Sequence, residues 1–368
     1  MHVTSLSTIG FRNLEISKTE LSPGLNIIHG NNAQGKTNFL EAIYFCAFGR
    51  SSRIRSDGDL IKWGEQAAYI KILSERAGYI TTFDACIENR GKNKVKSISL
   101  DFVPVRHMKD LFGRMLVVMF APEDLRLVKA GPAERRRFMD MEICQLSPVY
   151  YSELKDYHRA LKQRNALLKS LQKKPDKTQR ETLSVWDSEL VRHGLKIIKT
   201  RRAFMSRVQL IAEEIHNNIT QGVEHLRLDY KPGLEADIYA KALAKSWDRD
   251  IIRGATQEGI HTDDFEIRIN NVSARYFGSQ GQQRTAALST KLAEIEIIKQ
   301  STGETPILLL DDVLSELDEH RQRFLFQEIK NMQTIITCTG YGNVSGGFFE
   351  GLSADTRVMR MENGKIDL

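Results

Sequence analysis

One stretch of the chain combines residue types and spacing suited to binding phosphate groups. Residues 30–37 match the phosphate-loop pattern G-x-x-x-x-G-K-[ST] at every fixed position. Two glycines let the backbone curl with its N–H groups toward phosphate oxygens. Lys36 neutralises the β- and γ-phosphates, which also makes it a candidate catalytic residue, and Thr37 offers a hydroxyl to Mg²⁺. The candidate nucleotide-binding residues are Gly30, Asn31, Asn32, Ala33, Gln34, Gly35, Lys36 and Thr37.

The surrounding sequence decides between a phosphate site and a chance glycine-rich turn. Residues 25–29 read Leu-Asn-Ile-Ile-His and predict a short strand, and residues 38–44 predict a helix whose N-terminus would face the phosphates. Strand, loop and helix follow in the order that a phosphate loop needs. The sequence therefore predicts a nucleotide site here.

A second acidic element fits the same chemistry. Residues 306–310 are an apolar run that predicts a buried parallel strand, and the run ends in Asp311 and Asp312. Asp311 is expected to join Thr37 as a Mg²⁺ ligand, and Asp312 to orient or deprotonate the attacking water. The alternative is a pair of exposed acids in a turn.

A third element could bind an anion at the start of a helix. Ser279 and Gly281 precede the apolar positions of a long amphipathic helix, where a hydroxyl, free N–H groups and the helix dipole favour negative charge. Serine also caps ordinary helices, so this signal is weak by itself. It lies about 240 residues beyond the phosphate loop. Both elements can hold one phosphate if two chains pack head to tail, which predicts an ATP-dependent homodimer.

Short β-type runs alternate with turns over residues 1–100, and residues 115–120 form an apolar run typical of a strand buried on both faces. Together with the later apolar strand, they predict an α/β fold. The predicted strands outside the phosphate loop's own are residues 3–11, 68–73, 79–87, 96–102, 265–269 and 334–337.

From residue 150 the sequence changes to a heptad pattern. Leucines recur every seven residues at 154, 161 and 168, and a second series follows at 183, 190, 197, 204 and 211. Residues 173–176 (Lys-Lys-Pro-Asp) separate the two series as a turn would. The pattern predicts a short antiparallel coiled-coil hairpin. Residues 151–216 carry fifteen Lys/Arg and eight Asp/Glu, a net +7, whereas the whole chain has +6.

Two arginine-rich segments have open interpretations. A helix predicted to begin at Pro132 carries Arg135, Arg136 and Arg137, which are candidate DNA-binding residues or part of a solvated helix face. The basic loop 50–55 is either a solvated turn or a loop that faces nucleotide or DNA.

Length and composition limit the possible classes. A chain of 368 residues is long enough for two structural units. No apolar run approaches the ~20 residues of a membrane helix. The four cysteines are scattered without a C-x-x-C pair, which argues against a zinc site or a disulfide framework and fits a cytoplasmic protein. A pI of about 9.0 is compatible with a polyanionic partner.

The combination of motifs resembles the ABC-type ATPase heads of the SMC and Rad50 families, and within that group the RecF family. The resemblance spans nearly the whole chain. SMC and Rad50 relatives have long coiled-coil arms, whereas the predicted hairpin here is short. The matching segments are residues 11–13, 35–42, 132–137, 279–284 and 311–318.

The resemblance implies an ATPase head interrupted by a helical lobe that carries the hairpin, with residues 1–120 and 265–368 in the head and 121–264 in the lobe. It also implies that Arg12 contributes to nucleotide binding. ABC ATPases commonly carry a catalytic Glu where this chain has Asp312, which suits slow hydrolysis. Thr337 falls at the position of the switch histidine of transporters, and Glu123 is the nearest candidate for a lid residue.

For the function, the resemblance implies an ATP- and Mg²⁺-dependent clamp that dimerises, binds double-stranded and gapped DNA, and helps RecO and RecR to load recombinase on single strands. Its ATPase would be weak and DNA-stimulated. A small SMC-like chromosome tether is the alternative. A transporter ATPase and a monomeric metabolite kinase fit less well, because neither accounts for both the basic hairpin and Ser279.

Overall fold

The computed structural model describes residues 1–54, 56–91, 93–340 and 355–367. Arg55, from the basic loop, lies outside the described residues. The chain forms two compact units, one of Met1–Asp124 with Glu294–Leu368 and one of Leu125–Ala293. The chain crosses between the units at Glu294, inside a long helix, whereas the resemblance implies a return to the head at residue 265.

The strands of the described residues, in chain order, are β1 His2–Phe11, β2 Leu14–Glu20, β3 Leu25–His29, β4 Ala67–Arg76, β5 Tyr79–Arg90, β6 Asn93–Leu100, β7 Val103–Pro104, β8 Val117–Phe120, β9 Leu226–Lys231, β10 Asp264–Ile269, β11 Val272–Ser273, β12 Ile307–Asp311, β13 Thr334–Cys338, β14 Thr356–Glu362 and β15 Lys365–Asp367. The α-helices are α1 Lys36–Phe48, α2 Arg126–Lys129, α3 Pro132–Leu146, α4 Pro148–Lys173, α5 Lys177–Glu181, α6 Leu183–Thr220, α7 Tyr239–Lys245, α8 Trp247–Arg253, α9 Ala274–Phe277, α10 Gln280–Thr302 and α11 Glu319–Glu328. Short 3₁₀ turns cover Asp57–Leu60, Met108–Asp110, Pro122–Leu125, Ile260–Thr262 and Val313–Glu316.

A mostly parallel sheet organises the first unit. Its strand order is β15-β14-β3-β13-β12-β8, and only β15 runs antiparallel to its neighbour. Every residue of β8, β12 and β13 is buried. The apolar runs predicted this for β8 and β12. Because β3, β13 and β12 are parallel neighbours, their carboxyl ends lie at one edge of the sheet.

An antiparallel sheet of order β2-β1-β4-β5-β6-β7 completes this unit. Burial alternates along β4, where Ala68, Ile70 and Ile72 are buried between more exposed Tyr69 and Lys71. The predicted strands of this sheet are confirmed. No strand was predicted over Leu14–Glu20, which forms β2.

The second unit contains the predicted hairpin, formed by α4 and α6 with α5 in the connection. On α6 the predicted heptad positions 183, 190, 197 and 204 are buried, and 211 is half-buried. On α4 the buried heptad is instead Tyr150, Tyr157, Arg164 and Leu171; of the predicted leucines, Leu168 is buried but 154 and 161 are only half-buried. A search for apolar residues missed this register because an arginine and two tyrosines occupy it.

The hairpin forms the core of a helical lobe rather than a bare arm. α7 packs on α6, and α8 packs on α4. Near the connection, Trp247 of α8 packs on Leu168, Leu171 and Leu183. A three-stranded sheet of order β11-β10-β9 completes the unit. None of the helices in the described ranges is long and apolar enough to span a membrane.

Candidate nucleotide-binding site

The phosphate loop connects β3 to α1, and both of its glycines combine a positive φ with a close contact. Gly30 has φ 156°, and a Cβ there would lie 2.3 Å from the carbonyl oxygen of Met361. Gly35 has φ 114°, and a Cβ there would lie 2.9 Å from Oδ1 of Asn13. Ala33 also adopts a positive φ, 65°. A side chain at position 30 would therefore meet backbone, and the positive φ at both positions favours glycine.

Residues distant in sequence hold the loop in place. Asn13 Nδ2 donates to the Ala33 carbonyl at 3.2 Å. The backbone N–H of Asn363 donates to Gln34 Oε1 at 2.6 Å, and that of Gly364 to the Gln34 carbonyl at 2.9 Å. Sequence reasoning missed this support, although the Asn-Gly pair between β14 and β15 is a recognisable hairpin-turn signal.

Lys36 is held over the loop by backbone carbonyls. Its ammonium donates to the carbonyls of Gly30 at 2.7 Å and Asn31 at 2.8 Å. Burial lowers the pKa of Lys36, and the nearby charge of Asp312 partly opposes this shift. The ammonium is thus fixed beside the curl of N–H groups that the motif predicts for phosphate binding.

Thr37 and Asp311 meet at the carboxyl edge of the parallel sheet, as predicted. The hydroxyls of Thr37 and Thr337 each donate to Asp311 Oδ1 at 2.8 Å. Asp311 is buried, and burial raises its pKa, although the two hydroxyls act in the opposite direction. A hydroxyl and a carboxylate oxygen in contact form an oxygen donor set that suits Mg²⁺.

Asp312 occupies a left-handed backbone conformation directly beyond β12. Its φ is 52°, uncommon for a residue other than glycine. Its N–H donates to the Thr337 carbonyl at 3.2 Å and hydroxyl at 3.1 Å, while Ser315 Oγ donates to the Asp312 carbonyl at 2.7 Å. Thr337 therefore touches both acids, a role that its sequence position alone did not reveal.

Arg12, predicted to contribute to nucleotide binding, forms an ion pair with a buried acid in this structure. Its guanidinium donates to both carboxylate oxygens of Glu41, at 2.9 and 3.2 Å, and to the Asp59 carbonyl at 3.0 Å. The Ser51 hydroxyl also donates to Glu41. Arg12 therefore links the end of β1 to α1 and to the 3₁₀ turn Asp57–Leu60, and Glu41 links α1 to the basic loop through Ser51.

Two further side chains act on the Asp311 carboxyl. The positive charge of Arg53 lowers the pKa of Asp311, and the negative charge of Glu123 raises it. Arg53 is exposed. Arg53 of the basic loop and the lid candidate Glu123 therefore both lie within electrostatic range of the Asp311 carboxyl.

The predicted second anion element belongs to the other unit. Ser279 is exposed and precedes α10, and its Oγ accepts from the Gln282 N–H at 3.2 Å. Gln282 Oε1 in turn accepts from the Ser279 N–H at 2.9 Å. This reciprocal pair is a capping box. Gly281 is half-buried in the first turn of the helix.

The arginine cluster requires a correction. Arg135 is 5% exposed, and its guanidinium pairs with Asp264 at 2.6 and 3.0 Å. It also donates to the carbonyls of Leu127 and Ala130. Arg135 is thus wrong as a DNA-binding residue, because its donors are used inside the unit. Its half-buried neighbours on α3 are not a free basic face either: Arg136 donates to the Asp263 carbonyl at 2.8 Å, and Arg137 has contacts of its own.

Comparison with known proteins extends over the whole chain. The family model for the RecF/RecN/SMC N terminal domain matches residues 2–363. The DNA replication and repair protein RecF of Lachnospira eligens is 43% identical over 92% of this chain and 93% of its own length. RecF of Clostridium botulinum is 42% identical, and the match covers 100% of this chain and 99% of that protein's length.

Solved structures agree with these relatives. A structure of the recombination mediator protein RecF with ATP, in the RecFOR pathway, is 32% identical and covers 100% of this chain and 97% of its own, with a TM-score of 0.89. An SMC head bound to the C-terminal winged-helix domain of ScpA matches with a TM-score of 0.58 at 15% identity, covering 100% of this chain and 96% of its own. This likeness supports the ABC-type head fold alone. The chain belongs to the RecF family of DNA replication and repair proteins.

Proposed function

We propose that this chain binds ATP with Mg²⁺ at the phosphate loop and hydrolyses it slowly, as a switch for a DNA-repair clamp. The observation that carries the proposal is the 2.8 Å contact between Thr37 and Asp311, residues 274 positions apart. It joins the phosphate loop to the acidic end of β12, the pair of motifs that P-loop ATPases use. The ATP-containing structure of a RecF relative supports the same nucleotide.

The residues present fit a magnesium ion. The Thr37 hydroxyl and the Asp311 carboxylate would hold it, since both are hard oxygen donors and Thr337 orients the carboxylate through its own 2.8 Å hydrogen bond. When bound, the ion would supply positive charge that offsets the negative charge of the nucleotide's phosphates. Lys36 adds a second positive charge from the loop.

Asp312 would orient the attacking water and accept its proton. Its backbone is fixed by Thr337, and its carboxylate lies close enough to Lys36 to affect that residue's pKa. Because Asp is shorter than the Glu of most ABC ATPases, it reaches the water less well, which suits slow turnover. Stimulation by DNA would require a change in this geometry.

ATP would also close two copies of the chain. Ser279 is exposed, its hydroxyl can still donate while it accepts from the Gln282 N–H, and the first turn of α10 supplies further N–H groups with Gly281. In a head-to-tail dimer, this end of each copy meets the γ-phosphate on the other. The closed dimer would bind double-stranded DNA at gaps or junctions and assist RecO and RecR in loading recombinase.

Sedimentation velocity tests this proposal with the full chain, ATP, Mg²⁺ and a gapped duplex. We expect an ATP-dependent dimer, and we expect Ser279→Arg to remove the dimer while monomers keep their ATP affinity. An Asp312→Asn background slows hydrolysis and keeps the dimer populated. The control is Ser188→Arg, at an exposed position of α6. A chain that stays monomeric when saturated with ATP and DNA would refute the clamp.

A further inference from the structure

Two aromatic side chains are exposed immediately before Ser279. Tyr276 is 72% exposed and Phe277 is 75% exposed. Their rings meet edge to face, with centroids 6.4 Å apart and planes at 64°. The guanidinium of Arg275 lies 5.2 Å from the centroid of the Tyr276 ring. We call Arg275, Tyr276 and Phe277 the aromatic ledge.

The backbone under the aromatic ledge is held rigidly. Gln283, itself buried, donates to the carbonyls of Ala274 at 2.9 Å and Arg275 at 3.4 Å. The Gly278 N–H donates to the Ala274 carbonyl at 3.1 Å. A Cβ at Gly278 would lie 2.6 Å from that carbonyl oxygen, so the corner between α9 and α10 requires glycine. The rings are therefore presented by a preformed corner rather than by a loose loop.

The aromatic ledge consists of residue types that are common at protein–protein interfaces. Tyr and Arg are enriched among the residues that dominate binding energy, and such residues lie near the centre of an interface. Exposed rings gain by being covered, and a rigid ledge loses little entropy when this happens.

The position of the aromatic ledge in the chain favours one binding partner. Phe277 precedes Ser279 by two residues, and the two are joined through the fixed corner at Gly278. We propose that the aromatic ledge is buried against a second copy of this chain when ATP closes the two copies through Ser279. This inference rests on the proposed dimer and adds to it a residue set that acts without touching phosphate. A two-fold dimer buries the ledge of each copy, so each substitution acts twice.

The test compares the double variant Tyr276→Ala/Phe277→Ala with the unchanged chain, both with ATP and Mg²⁺. ATP binding to monomers at low protein concentration is expected to stay the same. The dissociation constant of the ATP dimer is expected to rise at least about tenfold. The control, Tyr79→Ala/Phe102→Ala, removes two aromatics of the first unit that are 79% and 77% exposed, and should leave dimerisation unchanged.

The outcomes separate this inference from the proposed function. If the unchanged chain does not dimerise with ATP, both fail. If it dimerises and the double variant dimerises equally well, only the aromatic ledge is refuted. Loss of affinity for oligothymidylate with intact dimerisation would likewise overturn it, because the ledge would then be a base-stacking surface.

A spectroscopic variant provides a second measurement. Phe277→Trp adds an indole on the ledge to the three native tryptophans. The difference between the emission of this variant and that of the unchanged chain should shift to shorter wavelength when ATP forms the dimer, because the added ring leaves water. The shift should disappear when Ser279→Arg is added. An unshifted spectrum in a sample that sediments as a dimer would overturn the inference.

Discussion

At the scale of single residues, the positive charge of Lys36 disfavours folding but favours the binding of phosphate. Its ammonium is buried against the carbonyls of Gly30 and Asn31, and burial lowers its pKa. A lowered pKa means that the folded chain holds this proton less tightly than the unfolded chain does. Lys36 therefore contributes no net stability through its charge, and stability rises with pH between the lowered pKa and the ordinary value. Its charge is useful only when a phosphate faces it.

This leads to a two-sided prediction for Lys36→Met. The free energy of unfolding without nucleotide should stay the same or increase, because an apolar side chain replaces a desolvated charge of similar length. ATP affinity should fall roughly 100-fold, since a charge-assisted phosphate contact is lost. Urea unfolding and nucleotide titration measure the two effects. A variant that lost stability and affinity together would indicate a structural role for the ammonium instead.

At the scale of elements, the hairpin is held together by buried ion pairs as well as by apolar residues. Arg164 is fully buried in the heptad of α4. It donates to Asp187 of α6 at 2.6 Å and to Asp250 of α8 at 2.7 Å. Arg201 of α6 similarly pairs with Asp140 and Asp263, both at 2.7 Å. Part of the positive charge of this segment is therefore neutralised inside the lobe.

Removing one partner of such a network should be costly. Arg164→Met removes the cation that pairs with Asp187 and the nearer arginine of Asp250, which also pairs with Arg249 at 3.9 Å. The expected cost is about 3–5 kcal/mol in unfolding free energy. Arg159→Met is the matched control on the same helix, because that side chain is 70% exposed and, among the described residues, forms an ion pair only with Asp156. The control should change stability by less than about 1 kcal/mol. Urea unfolding measures the loss of stability in both variants. An equal loss of unfolding free energy in the two would contradict a stabilising role for the buried ion pairs.

The same elements show what the sequence could and could not predict. The phosphate loop, β3 and α1 are local in sequence, and the apolar run of β12 identifies a buried strand without further information. The burial of Arg164 depends on Asp250, 86 residues away, and the support of Gln34 depends on Asn363, 329 residues away. No local pattern reports such distant partners. The burial of Arg164 could therefore not be predicted from the sequence around it.

At the scale of the whole molecule, the structure changes where a polyanion is expected to bind. Arg135, Arg164 and Arg201 are buried in ion pairs. By contrast, lysines at the connection of the hairpin are exposed, and in the described part of the chain none of them enters an ion pair; these are Lys169, Lys173, Lys174 and Lys177. We define them as the lysine tip, and we expect it to contribute to DNA binding.

Changing three residues of the lysine tip tests this expectation. Lys173→Gln/Lys174→Gln/Lys177→Gln should weaken binding of a gapped duplex, measured by fluorescence anisotropy in the presence of ATP. If all three contact phosphates, the slope of log affinity against log salt should decrease in magnitude by up to about 3, because each contact releases about 0.9 counterion. The matched control changes three exposed lysines on the hairpin helices, Lys155, Lys162 and Lys199. An equal loss of DNA affinity in both variants would mean that net charge alone matters. An unchanged salt slope in the tip variant would exclude direct contact, because removing a lysine–phosphate contact changes the salt dependence of binding.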